Sequence, residues 1–181
     1  MKKPGPEAFP KPQPGWVVVF LSFFERGLSL PTHEFLRGFL FIHGVQLYQL
    51  TPNTIFHLAF FITLCECFLG VEPHWGLWKK LYYIRRFPKA SCPAQIGGFG
   101  VCIRGKIPYF NLSMKESIQG WRRKWFYIQD EKLAGQSFGI APFLNTPVTK
   151  KKSWNYSSSG AKEEEANTLL ASIIKLVRGQ G

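Results

Sequence analysis

Aspartate is nearly absent from this chain: 181 residues contain one, Asp130. Two-metal nucleases, integrases and RNase H-like transposases hold divalent ions with several converging carboxylates. Ten glutamates remain, but three form the run Glu163–Glu165 and no pair among the others has a spacing that suggests a site. Asp130 is followed by Glu-Lys, not Thr-Gly or Ser-Gly, so an aspartic-protease half-site is missing as well. The scarcity of acid argues against a self-contained nuclease or protease.

Cysteine and histidine are also few. The four cysteines, at 65, 67, 92 and 102, do not make a secreted disulfide scaffold in a chain of this size. Cys65-x-Cys67 with His74 is the closest Cys/His cluster, but two residues on a helix turn through about 200°. The thiols should point to opposite sides, as buried helical cysteines rather than as zinc ligands, which need loop spacing. Nothing local pairs a cysteine with His43 or His57 as a nucleophile. Gly97-Gly98-Phe99-Gly100 lacks a following Lys-Ser/Thr and reads as a hairpin, not a phosphate loop. No catalytic residue, metal ligand or cofactor is expected.

Long apolar runs are missing too. Ile55–Val71 is the best membrane candidate, but it is shorter than the roughly 20 residues a span needs and contains His57 and Glu66. It reads as a core helix, so no membrane span is expected. Lys2 and Lys3 before Trp16–Phe24 imitate a signal sequence, yet five prolines intervene and no small-residue cleavage site follows. The expectation is an intracellular protein, of nucleus or cytoplasm, and not a secreted one.

What the chain does have is large apolar side chains and positive charge. Aromatics make up 16% of the residues, with 17 Phe, enough to build a core. Net charge is +12, and residues 71–130 hold eleven basic residues against three acids. Such a concentration suits polyanions, nucleic acid first and an anionic membrane surface second, or serves as a solubilising surface. Residues 1–15, with five Pro and two Gly, read as a disordered Pro-rich leader. Residues 16–144 read as the main domain, 145–160 as a basic polar linker containing Lys150–Lys152, and 161–178 as a C-terminal helix.

Within the main domain, Trp16–Phe20 is strand-like and Leu28–Leu30 a possible second strand. Thr32 is placed to cap a helix that ends at Gly44, and Thr51-Pro52 opens one that Gly70 closes. A third helix is expected from Trp75 to about Arg85. Ile96–Ile103 and Lys124–Ile128 read as strands of a small antiparallel sheet. The terminal helix, Ala161–Val177, presents Ala166, Leu169, Leu170, Ile173 and Val177 as one stripe, whose partner stays open. Glu66 inside an apolar helix calls for Arg26, Arg37 or water. Gly27, Gly38, Gly44 and Gly70 read as punctuation of turns and helix ends. The fold class is therefore α+β, mostly helical: a central helical cluster at 32–86, a small antiparallel sheet at about 95–130, and a C-terminal helix.

Two segments interleave bases with aromatics, WGLWKKLYYIRRF at 75–87 and WRRKWFY at 121–127. Lys79, Lys80, Arg85, Arg86, Arg122, Arg123 and Lys124 are the candidate nucleic-acid contacts, since cations neutralise phosphates and exposed aromatics stack on bases. The same alternation also describes a core face with a solvated back.

The run from Phe23 to Tyr83 carries Phe24-Glu25-Arg26-Gly27, Leu30-Pro31, Leu36-Arg37-Gly38, His43-Gly44-Val45, Thr51-Pro52-Asn53, Cys65-Glu66 and Leu69-Gly70-Val71-Glu72-Pro73-His74. On these motifs, continued by Gly97-Gly98 and Gly120-Trp121-Arg122, the chain resembles the plant family labelled "putative gypsy-type transposon", or "putative gypsy-type transposase", over about 16–130. The resemblance implies a domain of a retroelement-derived reading frame with no active site, in a structural or interaction role. Its partners would be nucleic acid, RNA or DNA, or other element-derived proteins. Family members continue past a helix like 161–178 into more polar sequence, so the C-terminus here reads as that of a truncated copy.

Overall fold

The computed structural model describes residues 10–87, 96–105, 118–129 and 160–179. Strand β1 (Trp16–Phe20) runs into the single-turn helix α1 (Leu21–Phe24), followed by α2 (Glu34–His43) and a 3-10 turn at Leu47–Gln49. Helix α3 (Pro52–Thr63) continues as a π turn at Leu64–Leu69, and α4 (Trp75–Leu81) passes directly into β2 (Tyr82–Arg86). Strand β3 (Phe99–Ile103), a 3-10 turn at Trp121–Arg123, β4 (Trp125–Gln129) and α5 (Gly160–Val177) complete the described chain. The α+β class holds, with the sheet divided into two antiparallel pairs, β1–β4 and β2–β3.

Several boundaries follow from local chemistry. Thr51 Oγ1 accepts the Thr54 N–H at 3.2 Å with Pro52 in the first turn, so α3 starts where a cap and a proline agree. Gly44 and Gly70 end their helices in left-handed backbone. Gly38 instead lies within α2, where a side chain would meet the Trp75 ring. The cap of α2 is His33 rather than Thr32: its Nδ1 accepts the Phe35 N–H at 3.0 Å. Its Nε2 meets Glu66 Oε1 at 2.9 Å, so a histidine and not an arginine partners this partly exposed acid. His74 repeats the arrangement, accepting the Leu77 N–H at the start of α4 and holding Glu165 of α5 at 3.4 Å.

Residues 28–30 form no strand. After α1 the chain turns back, Leu28 N–H bonding the Phe23 carbonyl at 2.9 Å. Gly27 sits so close to α3 that a Cβ would come within 2.8 Å of the Ala59 methyl, and its φ of +93° also excludes most other residues. The expected third helix stops four residues early because Tyr82 adopts extended backbone and pairs with Ile103. The Pro-rich start does not stay clear of the fold throughout. Pro10 is buried and the Lys11 N–H donates to the Tyr127 hydroxyl at 2.9 Å. Residues 1–9 of the leader, residues 130–144, and the linker up to 159 with Lys150–Lys152 lie outside the described residues.

The core is built largely from rings. Trp78 stacks on Tyr82 at 4.3 Å and meets Phe61, Phe35 and Phe39 edge-on at 5.1 to 5.7 Å. A second cluster joins Phe20, Phe23 and Trp121 under the β1–β4 pair. Each such contact adds roughly 0.5–1.5 kcal/mol beyond the area it buries. Helix α5 packs on α4 of the same chain, which answers where its stripe goes. Ala166 and Ile173 are buried there, Leu169 and Leu170 are half-buried, and Val177 stays exposed. Lys80 and Glu163 form an ion pair between the two helices.

The helix-plus-π segment Pro52–Leu69 would by length and composition suit a membrane crossing. In this fold Ile55, Leu58, Phe61, Leu64 and Cys65 are buried by the protein itself. Thr54, fully buried, ties it to β3: its hydroxyl accepts the Val101 N–H at 3.0 Å and reaches the Phe99 carbonyl at 3.4 Å.

Candidate nucleic-acid interface

Strand alternation decides what the first basic segment presents. Tyr82 and Ile84 turn toward the core with Phe99 and Val101 of β3, while Tyr83, Arg85 and Phe87 share the opposite, exposed face. Across the pair, Tyr83 stands opposite Cys102 and Arg85 opposite Gly100, and the Phe87 N–H bonds the Gly98 carbonyl at 2.9 Å. Arg104 continues this face beyond the end of β3. Its Nε donates to the Lys79 and Tyr82 carbonyls at 2.9 and 3.1 Å, and its guanidinium lies 5.9 Å from the Tyr83 ring centre.

Phe87 lies flat against the strand because position 100 is glycine. A Cβ there would come within 2.4 Å of the ring, so the ring takes the place a side chain would fill. The Arg85 guanidinium sits 5.8 Å from the same ring. Tyr83 is 42% exposed and Phe87 39%, whereas the other aromatics of the two basic segments are buried or half-buried. No Asp or Glu occurs in β2, in β3 or in the residues that adjoin them at 87, 98 and 104. Two rings and two guanidinium groups thus share one open, acid-free face.

The seven candidate cations divide by environment. Arg85 is on this face, whereas Arg86 turns to the other side and stacks over Phe99 at 5.5 Å. Lys80 pairs with Glu163, and Lys79 is half-buried at the end of α4. Arg122 is a structural tether: its Nε donates to the Ile96 carbonyl at 2.9 Å and its guanidinium lies over Trp121 at 5.3 Å. Arg123 on the 3-10 turn and Lys124 just after it are exposed, and the Leu21 N–H bonding the Lys124 carbonyl holds this end of the turn in place. The two basic segments meet at residues 96–98, where Arg122 holds Ile96 and Phe87 holds Gly98.

Most aromatics of these segments belong to the core: Trp78, Tyr82, Trp121, Trp125 and Tyr127 are buried. Arg104 escaped the sequence reading, as did the grouping of Tyr83, Arg85 and Phe87. Reading the helix on to about Arg85 sends Arg85 to the side opposite Tyr83. Reading 82–86 as strand lines up all three, and the β-favouring run Tyr-Tyr-Ile was the available signal.

The thiols and imidazoles are arranged for packing. His57 is buried against Tyr82, and burial pulls its pKa down to about 4. Burial, with a smaller push from the Glu66 charge, raises the Cys65 thiol to about 11 despite a hydrogen bond with the His74 backbone that acts the other way. Tyr82 is likewise raised by burial and then by Cys65. An activated Cys–His pair requires the reverse shifts, a depressed thiol beside a protonated imidazole. Cys65 is buried and Cys67 exposed, so the second is not the buried thiol expected. Among the described residues no three His, Cys, Asp or Glu gather as metal ligands do.

No curated protein and no solved structure matches this chain. A model of the family described as "Putative gypsy type transposon" matches residues 17–86, from β1 to the last residue of β2, a narrower span than the motifs promised and one that carries Tyr83 and Arg85 of the exposed face.

Proposed function

We propose that this chain is a non-catalytic domain of a plant retrotransposon-derived protein, acting inside the cell by binding, and that its partner is nucleic acid. The observation that carries the reading is the open face of β2–β3, where Arg85 and Arg104 stand beside exposed rings with no carboxylate in either strand. The surrounding sequence, residues 71–130, supplies the excess of positive charge that would draw a polyanion to it. The match of residues 17–86 to a transposon family supports a mobile-element origin. The neutral state that burial imposes on Cys65 and His57 supports a role other than nucleophilic catalysis.

Phosphate neutralisation releases counterions, so affinity should fall with salt in proportion to the cations engaged. Four contacts, Arg85, Arg104, Arg123 and Lys124, would weaken single-strand binding roughly 50-fold between about 50 and 200 mM salt. Fluorescence anisotropy of the full chain with labelled single-stranded RNA and DNA tests this. Replacing Arg123 and Lys124 by Ala should flatten the salt slope by about one and a half. Failure to bind either strand at the lower salt sinks the reading.

A second reading, an assembly domain for other element-derived proteins, draws on Phe41 and Phe68, which are 84% and 67% exposed. Association through those rings would persist at high salt, and sedimentation of the full chain against a Phe41→Ser, Phe68→Ser variant would detect it.

A further inference from the structure

We infer that the β2–β3 face binds single-stranded nucleic acid by stacking two bases, one on Tyr83 and one on Phe87, with Arg85 between them taking the connecting phosphate. The inference rests on the nucleic-acid reading above and specifies its site and its substrate form.

The geometry is that of a stacking platform. Tyr83 and Phe87 are four residues apart on one strand face, about 13 Å at roughly 3.3 Å per residue. This leaves room for an extended strand to place one nucleotide over each ring and an unstacked one between them, whose phosphate faces Arg85. Both rings are exposed to solvent, and the Phe87 ring lies against the backbone of Gly100. The Arg104 guanidinium lies over the Tyr83 ring and the Arg85 guanidinium over the Phe87 ring, at 5.9 and 5.8 Å, each loosely enough for an incoming base to displace it toward a phosphate. Flat aromatic surfaces of this kind accept unpaired bases and exclude duplex, whose bases are already stacked on one another. An anionic lipid surface would use the same charges and could bury the two rings, but it sets no requirement on their spacing or orientation. A protein partner with an acidic patch could bury the same rings, but it too requires no regular spacing between them. Charge complementarity and ring geometry together therefore favour the single strand.

The measurement is anisotropy of the full chain with a labelled single-stranded RNA. Competitors are the same sequence as duplex, inorganic polyphosphate as a base-free polyanion, and vesicles of phosphatidylserine with phosphatidylcholine. Tyr83→Ala and Phe87→Leu should each weaken single-strand binding about 5- to 100-fold while leaving the salt slope unchanged. Arg85→Ala should lower that slope by roughly one contact. Phe87→Leu keeps an apolar cover over Gly100, and melting of each variant confirms that the fold is intact. Tyr83→Phe, which keeps the flat ring, should bind as the parent does. If the chain binds the single strand with the expected salt slope but Tyr83→Ala and Phe87→Leu bind unchanged, stacking is refuted and charge-only binding stands. Equal competition by duplex or polyphosphate also overturns the inference. Absence of any nucleic-acid binding, or capture by vesicles alone, overturns both it and the function on which it rests.

Discussion

Thr54→Val isolates a single hydroxyl with almost no change in shape. Thr54 is completely buried near the start of α3, and its oxygen accepts the Val101 N–H at 3.0 Å, contacts Thr51 Oγ1 at 2.9 Å and reaches the Phe99 carbonyl at 3.4 Å. Valine fills the same volume, so no cavity forms. What changes is that the Val101 N–H loses its acceptor in a dry interior, at a cost of about 1–3 kcal/mol. The Phe99 carbonyl still receives the Thr51 N–H at 3.1 Å, so its loss is minor and the lower half of the range applies. A destabilisation of about 1.5 kcal/mol should lower Tm by roughly 3–6 °C in a chain of this length. Urea unfolding followed by tryptophan fluorescence gives the free energy, and calorimetry gives Tm. A loss under about 0.5 kcal/mol would refute the idea that this hydroxyl holds β3 against α3. Because β3 backs the exposed face, the same variant should also loosen Cys102 and Gly100 amides in hydrogen exchange.

Burial of neutral His57 makes stability depend on pH. Its folded pKa is depressed from 6.5 to about 4, so below about pH 6.5 the unfolded chain takes up a proton that the folded chain refuses. Stability from this source is complete above pH 6.5 and falls by up to about 3 kcal/mol as pH drops toward 4. His57→Leu should flatten that decline, and parallel melting curves for the two proteins between those pH values would contradict it. Ala166→Asp places an unpaired carboxylate where α5 meets Gly76, close enough that a Cβ on that glycine would be 3.1 Å from the alanine methyl. Helix α5 should undock, its amides exchanging many-fold faster while those of α3 stay protected. Simultaneous loss in both helices would mean that α5 is part of one cooperative core. Gly100→Ala puts a methyl where the Phe87 ring lies, 2.4 Å away. The ring should swing off the strand, lowering single-strand affinity about as much as Phe87→Leu with little change in Tm. Undiminished binding would show that the position of the ring is immaterial.

Local signals were legible wherever the chemistry was local. Thr51 and Pro52, Gly44 and Gly70, and the β-branched run at 16–20 set their boundaries through neighbouring residues alone. The segment after Leu81 was not legible in the same way. Trp75, Trp78, Leu81 and Tyr82 keep helical spacing, and Tyr82 serves equally as the next helical residue or the first of a strand. The pairing with β3 decided between them, and that partner lies beyond residues no local pattern links. His33 was overlooked as a cap because the oxygen-bearing Thr32 stood beside it, although an imidazole nitrogen accepts just as well. The same histidine then claimed Glu66, which the sequence had offered to arginines. At the site, charge was visible and direction was not: seven cations read alike as letters, yet the fold sends Arg122 to a carbonyl, Lys80 to a carboxylate and Arg85 to the open face.

The pairing of β1 with β4 has a consequence for how this polypeptide can be cut. Trp16 aligns with Gln129 and Phe20 with Trp125, while β2 pairs with β3, its one strand partner among the described residues. The family-matched stretch 17–86 therefore contains one strand of each pair and neither mate. A recombinant fragment with those ends would carry two bare strand edges and, without Trp121, an opened ring cluster beside Phe20 and Phe23. A homology boundary and an autonomously folding unit thus differ here. On the ribosome, β1 must wait for residue 129 to clear the exit tunnel before it can close.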